Sequence, residues 1–455
     1  MKKRLVTLLM AAVMAIAMVG CGGSDGETKP INESSKEETD AVDSESDGDI
    51  EIDMLVHVSR SIVGESGFAT GFYTALDDWM EKHPDVKVNI EEMDQTAYQT
   101  KINSLGASGD IPDVFMLKGS WTNTFVDNGW ATDITDELDA DPDWKNAYIA
   151  GGFDPAIKDE RIYGVPQESM TTGVIYYNSE MWKEIGYDEF PTTWEELLDA
   201  VNKFNEKGID TFVLGNKPNW PAESCWLSTL GDRFTGTDWT YSILDGSGAK
   251  FTDKSFVEAL TTFQELAEAG AFNEDINSID DTEQNSVYFN KKAAAIIQGT
   301  WFIPTVDTTA PDDVKSATKL AILPAVEGGS DDQNTVSGGA AWFLSMGTNV
   351  KDAKKRELVM DLIKNLTDER QADITASMGG VTAWAEPDYD AESVAPLYTE
   401  YLELMKDKIS VPIYDACMEA SVIETMNTGL QSLLIGEKEP KDLAEEIQME
   451  QDMVQ

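Results

Sequence analysis

The 455-residue sequence is poor in the side chains on which metal sites and nucleophilic catalysis depend. It has two histidines, His57 and His83, and three cysteines, Cys21, Cys225 and Cys417, with no CxxC pair. A zinc site needs Cys, His or carboxylate ligands at short spacings, so no metal is expected. Cys225 and Cys417 stand far apart, and spacing leaves open whether they are free thiols or one bridge. Basic residues are also scarce: 34 Lys and Arg face 84 Asp and Glu, a formal charge of −50. That balance excludes the basic footprint a nucleic acid requires. It disfavours adhesion to anionic lipid, and weakly disfavours an anionic ligand. No GxSxG elbow, P-loop, HExxH or GxGxxG fingerprint occurs, so no catalytic residue and no cofactor is expected. Internal repeats are absent. Beyond the first twenty residues no apolar run is long enough to cross a membrane.

What is present begins with a processing signal. Lys2, Lys3 and Arg4 precede an uncharged apolar run, Leu5 to Val19, that ends at Gly20-Cys21. Residues 1–20 read as a cleaved signal peptide. A Cys directly behind a small residue resembles the lipobox of bacterial lipoproteins, although Met18 stands where that motif usually has Leu. The resemblance implies that Cys21 becomes the first mature residue and carries acyl chains, each buried CH₂ adding about 0.8 kcal/mol to membrane binding. The expected location is the outer face of the cell membrane. Residues 22–48 are rich in Gly, Ser, Thr, Asp and Glu and should form a disordered tether. Asp43 to Asp53 only hints at a calcium loop, because Glu45 and Met54 replace two of its required ligand types.

From Ile50 the pattern is α/β. Ile50, Ile52, Met54, Val56 and Val58 alternate as in a strand. Phe72, Leu76 and Trp79 then follow helical spacing, Val86, Val88 and Ile90 alternate again, Tyr98, Ile102 and Leu105 mark a second helix, and Val114 to Leu117 is a short buried strand. This order predicts parallel pairing with right-handed crossovers, with ligands at the carboxyl ends of the strands. Those ends are Ser59–Glu65 and Lys118–Trp121. Further on, Thr193 and Glu196 form a capping box for a helix ended by Gly208. Ala293 to Ile297 reads as a strand, and 351–376 and 393–450 read mostly as helices.

Several segments resemble the extracellular solute-binding proteins of bacterial sugar ABC importers, the maltodextrin-binding-protein class. They are Ser108-Gly109-Asp110-Ile111-Pro112-Asp113-Val114, Gly129-Trp130-Ala131-Thr132-Asp133-Ile134, Arg161-Ile162-Tyr163-Gly164-Val165-Pro166 with Ile175-Tyr176-Tyr177-Asn178, Pro191 to Leu197, and Phe289 to Trp301. They occur in order between Ser108 and Trp301. The resemblance implies a two-lobed periplasmic-binding-protein-like α/β fold, each lobe a mostly parallel sheet flanked by helices. Crossing strands join the lobes, expected at Tyr163–Glu168, near Leu320–Pro324 and near Met346. Lobe 1 is expected to comprise 49–166 plus 320–347, and lobe 2 to comprise 167–319 plus 348–455. It further implies a monomer that captures a carbohydrate and delivers it to ABC permease subunits, with no catalysis.

A sugar offers apolar C–H faces and a rim of hydroxyls, so a binder needs flat aromatics and fixed polar groups. Of the twelve tryptophans, Trp79 and Trp194 sit at core spacing. Trp301 is the foremost candidate, because Gly299 lets the backbone approach and the family places a Trp there at the sugar. Trp220, Trp121, Trp226, Trp342 and Trp384 lie in or beside loops and are further candidates, each with core packing as its plainer alternative. The polar candidates are Glu168, which follows the first crossing, and Arg60, Glu65, Lys118 and Asp232. For each of these the alternative is a solvated charge. The competing reading from another class is a secreted, lipid-anchored glycoside hydrolase acting through paired carboxylates.

Overall fold

Alternation of apolar residues sets the first sheet. In the computed structural model, which describes residues 50–454, β1 (Ile50–Val56) buries Ile52, Met54 and Val56 and pairs in parallel with β2 (Val86–Glu92) and β3 (Val114–Lys118). The expected signal peptide, Cys21 and tether lie outside the described residues. The helix Gly67–Lys82 between β1 and β2 starts at Ser66, whose hydroxyl accepts from the Ala69 amide. The helix Gln95–Ser108 ends at Gly109 with φ +82°, a left-handed stop that disfavours a side chain.

A small hairpin, β4 (Ile157–Lys158) and β5 (Arg161–Ile162), precedes β6 (Val165–Thr171). The chain turns at Thr172-Gly173 into β7 (Val174–Asn178) of a second sheet, with β8 (Asp210–Val213), β9 (Ala293–Gln298) and β10 (Thr318–Ile322) in the order β10-β7-β9-β8. It returns through β11 (Thr335–Met346), which pairs with β3, β6 and β12 (Ile409–Val411) to complete the first sheet. The capping box of Thr193 and Glu196 is present, and Gly208 closes its helix at φ +68°.

Each sheet has its own core. One is built on Phe72, Leu76, Trp79, Phe115 and Phe343. The second sheet is packed on both sides, by Phe204, Trp226, Phe263 and Leu430 on one and by Val174, Phe302 and Tyr398 on the other. Among the described residues no helix is long and apolar enough to cross a membrane.

The path between the halves differs from the expected one. Strand β10 pairs antiparallel with β7, so residues 318–322 belong to the second sheet and not to lobe 1. The passage follows, between Leu323, in the second core, and the start of β11. Met346 ends β11 opposite Val114, inside the first sheet, and is not a crossing. Val359, Leu362 and Ile363 of the helix Ala353–Asn365 join the first core, so the segment after 348 does not go at once to lobe 2. The chain passes back between Ala383, in the first core, and Val394, in the second half. Alternation and short apolar runs identified strands, but they carry no information on which sheet receives a given strand.

Where β6 and β11 run together there are two opposing irregularities. Ala340 pairs with Ser169 and Trp342 with Glu168, leaving Ala341 extra; Phe343 then pairs with Pro166, leaving Gln167 extra. Each is a one-residue bulge, and the second restores the register that the first displaced. Gln167 is buried, and neither of its amide atoms has a hydrogen-bond partner among the described residues.

Candidate functional site

The crossing strands present two faces. On β6, Ser169 and Thr171 point one way and Glu168 the other, as successive strand residues must. The Ser169 face opens on a cavity of about 970 Å³ lined from the first half by Gly119 and Asp154, from the second by Tyr241 and Met418, and from the crossing strands by Gly338 and Ala340. None of the tryptophans lines it. The other face carries Glu168, its register partner Trp342, and Lys118, which also pairs with Trp342.

Around Trp342 the structure gathers a compact group. Its ring centroid lies 4.0 Å from that of His57 and 5.4 Å from that of Trp121, and Lys118 Nζ stands 5.8 Å from it. Lys118 Nζ donates to Asp415 Oδ2 at 2.6 Å, and both side chains are under a tenth exposed. Burial, and next the Asp415 charge, push the Glu223 carboxyl well above its ordinary range, while Lys118 opposes the shift. Glu223 Oε1 accepts from Ser228 at 2.6 Å, and Oε2 has no partner among the described residues. His57 is depressed to about 4 by burial, with the Lys118 charge acting in the same direction, so it is neutral at pH 7. Burial alone pushes the half-buried Glu168 carboxyl up to about 7.

Trp301 follows β9 and packs against all three apolar clusters, which places it where the halves meet. Its Nε1 donates to Gln298 Oε1 at 3.0 Å. Its ring lies on Gly299, where any side chain would overlap the indole. Trp220 stands edge-on, with centroids 5.8 Å apart and planes at 67°. The loop is tied to the crossing strand, since the Thr300 amide donates to the Thr171 carbonyl at 3.0 Å.

Thus the candidates Lys118, Trp342 and Glu168 come together, as do Trp301 and Trp220. Others do not join them. Trp226 is wholly buried, stacked on Phe263 and edge-on to Phe212 and Phe272, so it is a core residue and not a ligand platform. Asp232 is buried and accepts from Thr335 at 2.5 Å and Thr237 at 2.9 Å, which gives it a structural place. Trp121 is buried at the edge of the Trp342 group, its ring parallel to those of Tyr98 and Phe125. Arg60 is exposed over Tyr73 and bonded to Asp77, and Glu65 is exposed on the neighbouring turn. Trp384 packs edge-on against Tyr148. Asp415 and Glu223 were not foreseen, since they lie 297 and 105 residues from Lys118 and carry no motif.

Two α/β halves, each with its own sheet and core, linked by strands that pass between them, define the two-lobed binding-protein fold. Solved structures share it. A structure titled for xylan utilization by Caldanaerobius polysaccharolyticus superposes with a TM-score of 0.78 at 24% identity, over 88% of this chain and 99% of that one. A chitin oligosaccharide binding protein gives 0.80 at 20% identity, over 89% and 98%. The family model described as "Bacterial extracellular solute-binding protein" matches residues 66–373. The chain belongs to that family. Among curated relatives, an ABC transporter extracellular-binding protein of Pyrococcus horikoshii is 22% identical over 308 residues, and Lipoprotein LipO of Bacillus subtilis 20% over 328. Each alignment covers 66% of this chain, and spans 65% and 62% of those relatives' own lengths.

Proposed function

We propose that this chain is a lipid-anchored, extracytoplasmic binding protein that captures a carbohydrate, an oligosaccharide in particular, and hands it chemically unaltered to an ABC importer. The observation that carries the reading is the placement of Trp301, an indole lying flat on a glycine at the junction of the two halves, with Trp220 beside it. Flat aromatics with one polar handle suit the C–H face of a sugar ring. The family and the sugar ligands named for structures of the same fold support the reading. Trp301, Trp220, Trp342, Glu168 and Lys118 are the residues assigned to the site, with Trp384, Arg60 and Glu65 at its margin.

The mechanism is closure about the crossing strands. A ligand touching both halves favours the closed form by its differential affinity, and moving a 1:99 population to 99:1 takes about 5.5 kcal/mol. Permease subunits then read the closed form, which acts as a monomer. The glycoside hydrolase alternative needs two carboxyl groups acting on one bond, about 5–9.5 Å apart. Glu168 is shifted by burial alone, with no second carboxylate acting on it, which favours binding over hydrolysis. Signal cleavage at Gly20 and acylation of Cys21 belong to the same proposal.

The test is calorimetry of the purified protein with chitin-, xylo- and malto-oligosaccharides, followed by mass spectrometry of the sugar. Saturable heat with intact ligand, lost at least tenfold in Trp301→Ala, is expected. Absence of binding to every sugar, or turnover of any, would overturn the reading. For the anchor, Cys21→Ser should release the protein from membranes; retention would remove the lipid from the proposal.

A further inference from the structure

Carboxylates outnumber cations at the candidate site. Both cations assigned to it are already bonded to a carboxylate: Lys118 to Asp415 at 2.6 Å, and Arg60 to Asp77 through both guanidinium nitrogens at 2.8 and 2.9 Å. Glu168 receives no hydrogen bond and no ion pair from any described residue, although it is half-buried and shares its strand face with Trp342 and Lys118. A carboxyl group partly withdrawn from water and without a partner is costly to keep charged. It gains most from a ligand that brings hydrogen-bond donors or positive charge. It loses most from a ligand that brings a second negative charge.

We propose that Glu168 makes this site selective by charge, admitting neutral and amine-bearing sugars and refusing sugars that carry a carboxylate. The inference rests on the carbohydrate reading above and names the ligand class within it.

The surrounding groups do not cancel this effect. Lys118 and His57 both lie against Trp342, from β3 and from the residue after β1; Asp415 neutralises Lys118 and stands next to Glu223. His57 is uncharged at pH 7, and Glu223 is held toward its uncharged form by burial. Glu168 is therefore the member of the group that ionises across neutral pH, at about 7. Below that value it is a neutral acid able to donate to a carboxylate; above it, it repels one. The sign follows: affinity for a uronate falls as pH rises through 7, and affinity for an amine does not fall with it until the amine itself loses its proton.

The experiment takes the neutral oligosaccharide that binds best among the chitin, xylan and maltose series, or its closest analogue with a primary hydroxyl. Two derivatives are compared with it, one with that hydroxyl oxidised to the carboxylate and one with it replaced by an amine. Affinities of the full mature chain and of Glu168→Gln are measured at pH about 6 and about 8 by calorimetry. The carboxylate form should bind the parent protein at least tenfold more weakly than the neutral form at the higher pH. Glu168→Gln should remove most of that difference and its pH dependence. A ratio of carboxylate to neutral affinity unchanged by the substitution would overturn the inference while leaving carbohydrate binding intact. Failure of every neutral sugar to bind would instead overturn the carbohydrate reading on which it stands.

Discussion

Gly299→Ala tests the placement of Trp301 without touching the indole itself. The Gly299 backbone does not lie in the left-handed region, so alanine is compatible with the local φ. By limiting the unfolded chain, alanine contributes about 0.4–1 kcal/mol of stability at such a position. The obstacle is the ring: a methyl group at Gly299 would overlap the six-membered ring of Trp301. The indole must swing away, which removes its hydrogen bond to Gln298 and its flat presentation beside Trp220. An aromatic contact contributes about 0.5–1.5 kcal/mol beyond its buried area, and a net hydrogen bond about 1 kcal/mol. The hydrogen bond is lost from free and bound protein alike and offsets the gain from alanine, so the urea midpoint should be nearly unchanged, while the expected loss of ligand affinity is about 0.5–1.5 kcal/mol, roughly twofold to twelvefold. Calorimetry reads the affinity, and near-ultraviolet circular dichroism reports the indole. Unchanged affinity together with an altered aromatic spectrum would show that the ring moved and the ligand did not notice. The assignment of Trp301 would then fall.

Trp226→Ala should destabilise the protein by about 3–5 kcal/mol, because the indole is enclosed by Phe212, Phe263 and Phe272; urea unfolding that shows less than 1 kcal/mol would return Trp226 to the list of surface candidates. Asp415→Ala leaves Lys118 buried without its partner and should cost about 3–5 kcal/mol, lowered to the extent that Glu223 ionises in its place; a thermal scan showing no loss would mean that the pair is not formed. His57→Phe should flatten the acid limb of the stability curve. The folded imidazole titrates near 4 against an ordinary 6.5, so the unfolded chain takes up the proton first as pH falls from 6.5. Up to about 3 kcal/mol is lost by pH 4. Identical slopes for the variant and its parent would refute the burial of His57.

Much of the architecture was legible in the sequence because it rests on local rules. Alternation marked β1 and β2, a short apolar run marked β3, the Thr193–Glu196 box marked a helix start, and Gly208 marked its end. The routing between halves was not legible. Whether residues 318–322 pair with Tyr177 or with Phe343 depends on which edge is free once the chain has folded, and the pattern of Leu320 and Ile322 fits both. The site was legible in part. The proposed site residue Trp301 stands behind β9 as expected, whereas Glu168, expected after the crossing, lies within β6. Trp226 and Asp232 were misread because a loop rich in Trp and Gly is, here, a buried helix from Ala222 to Thr235. Asp415 reaches Lys118 only through tertiary folding, as do most partners of buried charges.

The paired bulges at Ala341 and Gln167 carry a consequence for how this region can change. Parity along a strand decides which side of the sheet every residue serves. Ala340 serves the Ser169 side and Trp342 the Glu168 side, so deleting Ala341 alone would remove the first bulge and leave Trp342 on its own side. Deleting Gln167 as well would remove the opposing bulge, again with every remaining residue on its present side. Loss of the extra residue at either bulge is therefore expected to be tolerated singly, whereas loss of a paired residue elsewhere in either strand would exchange the sides of all that follows.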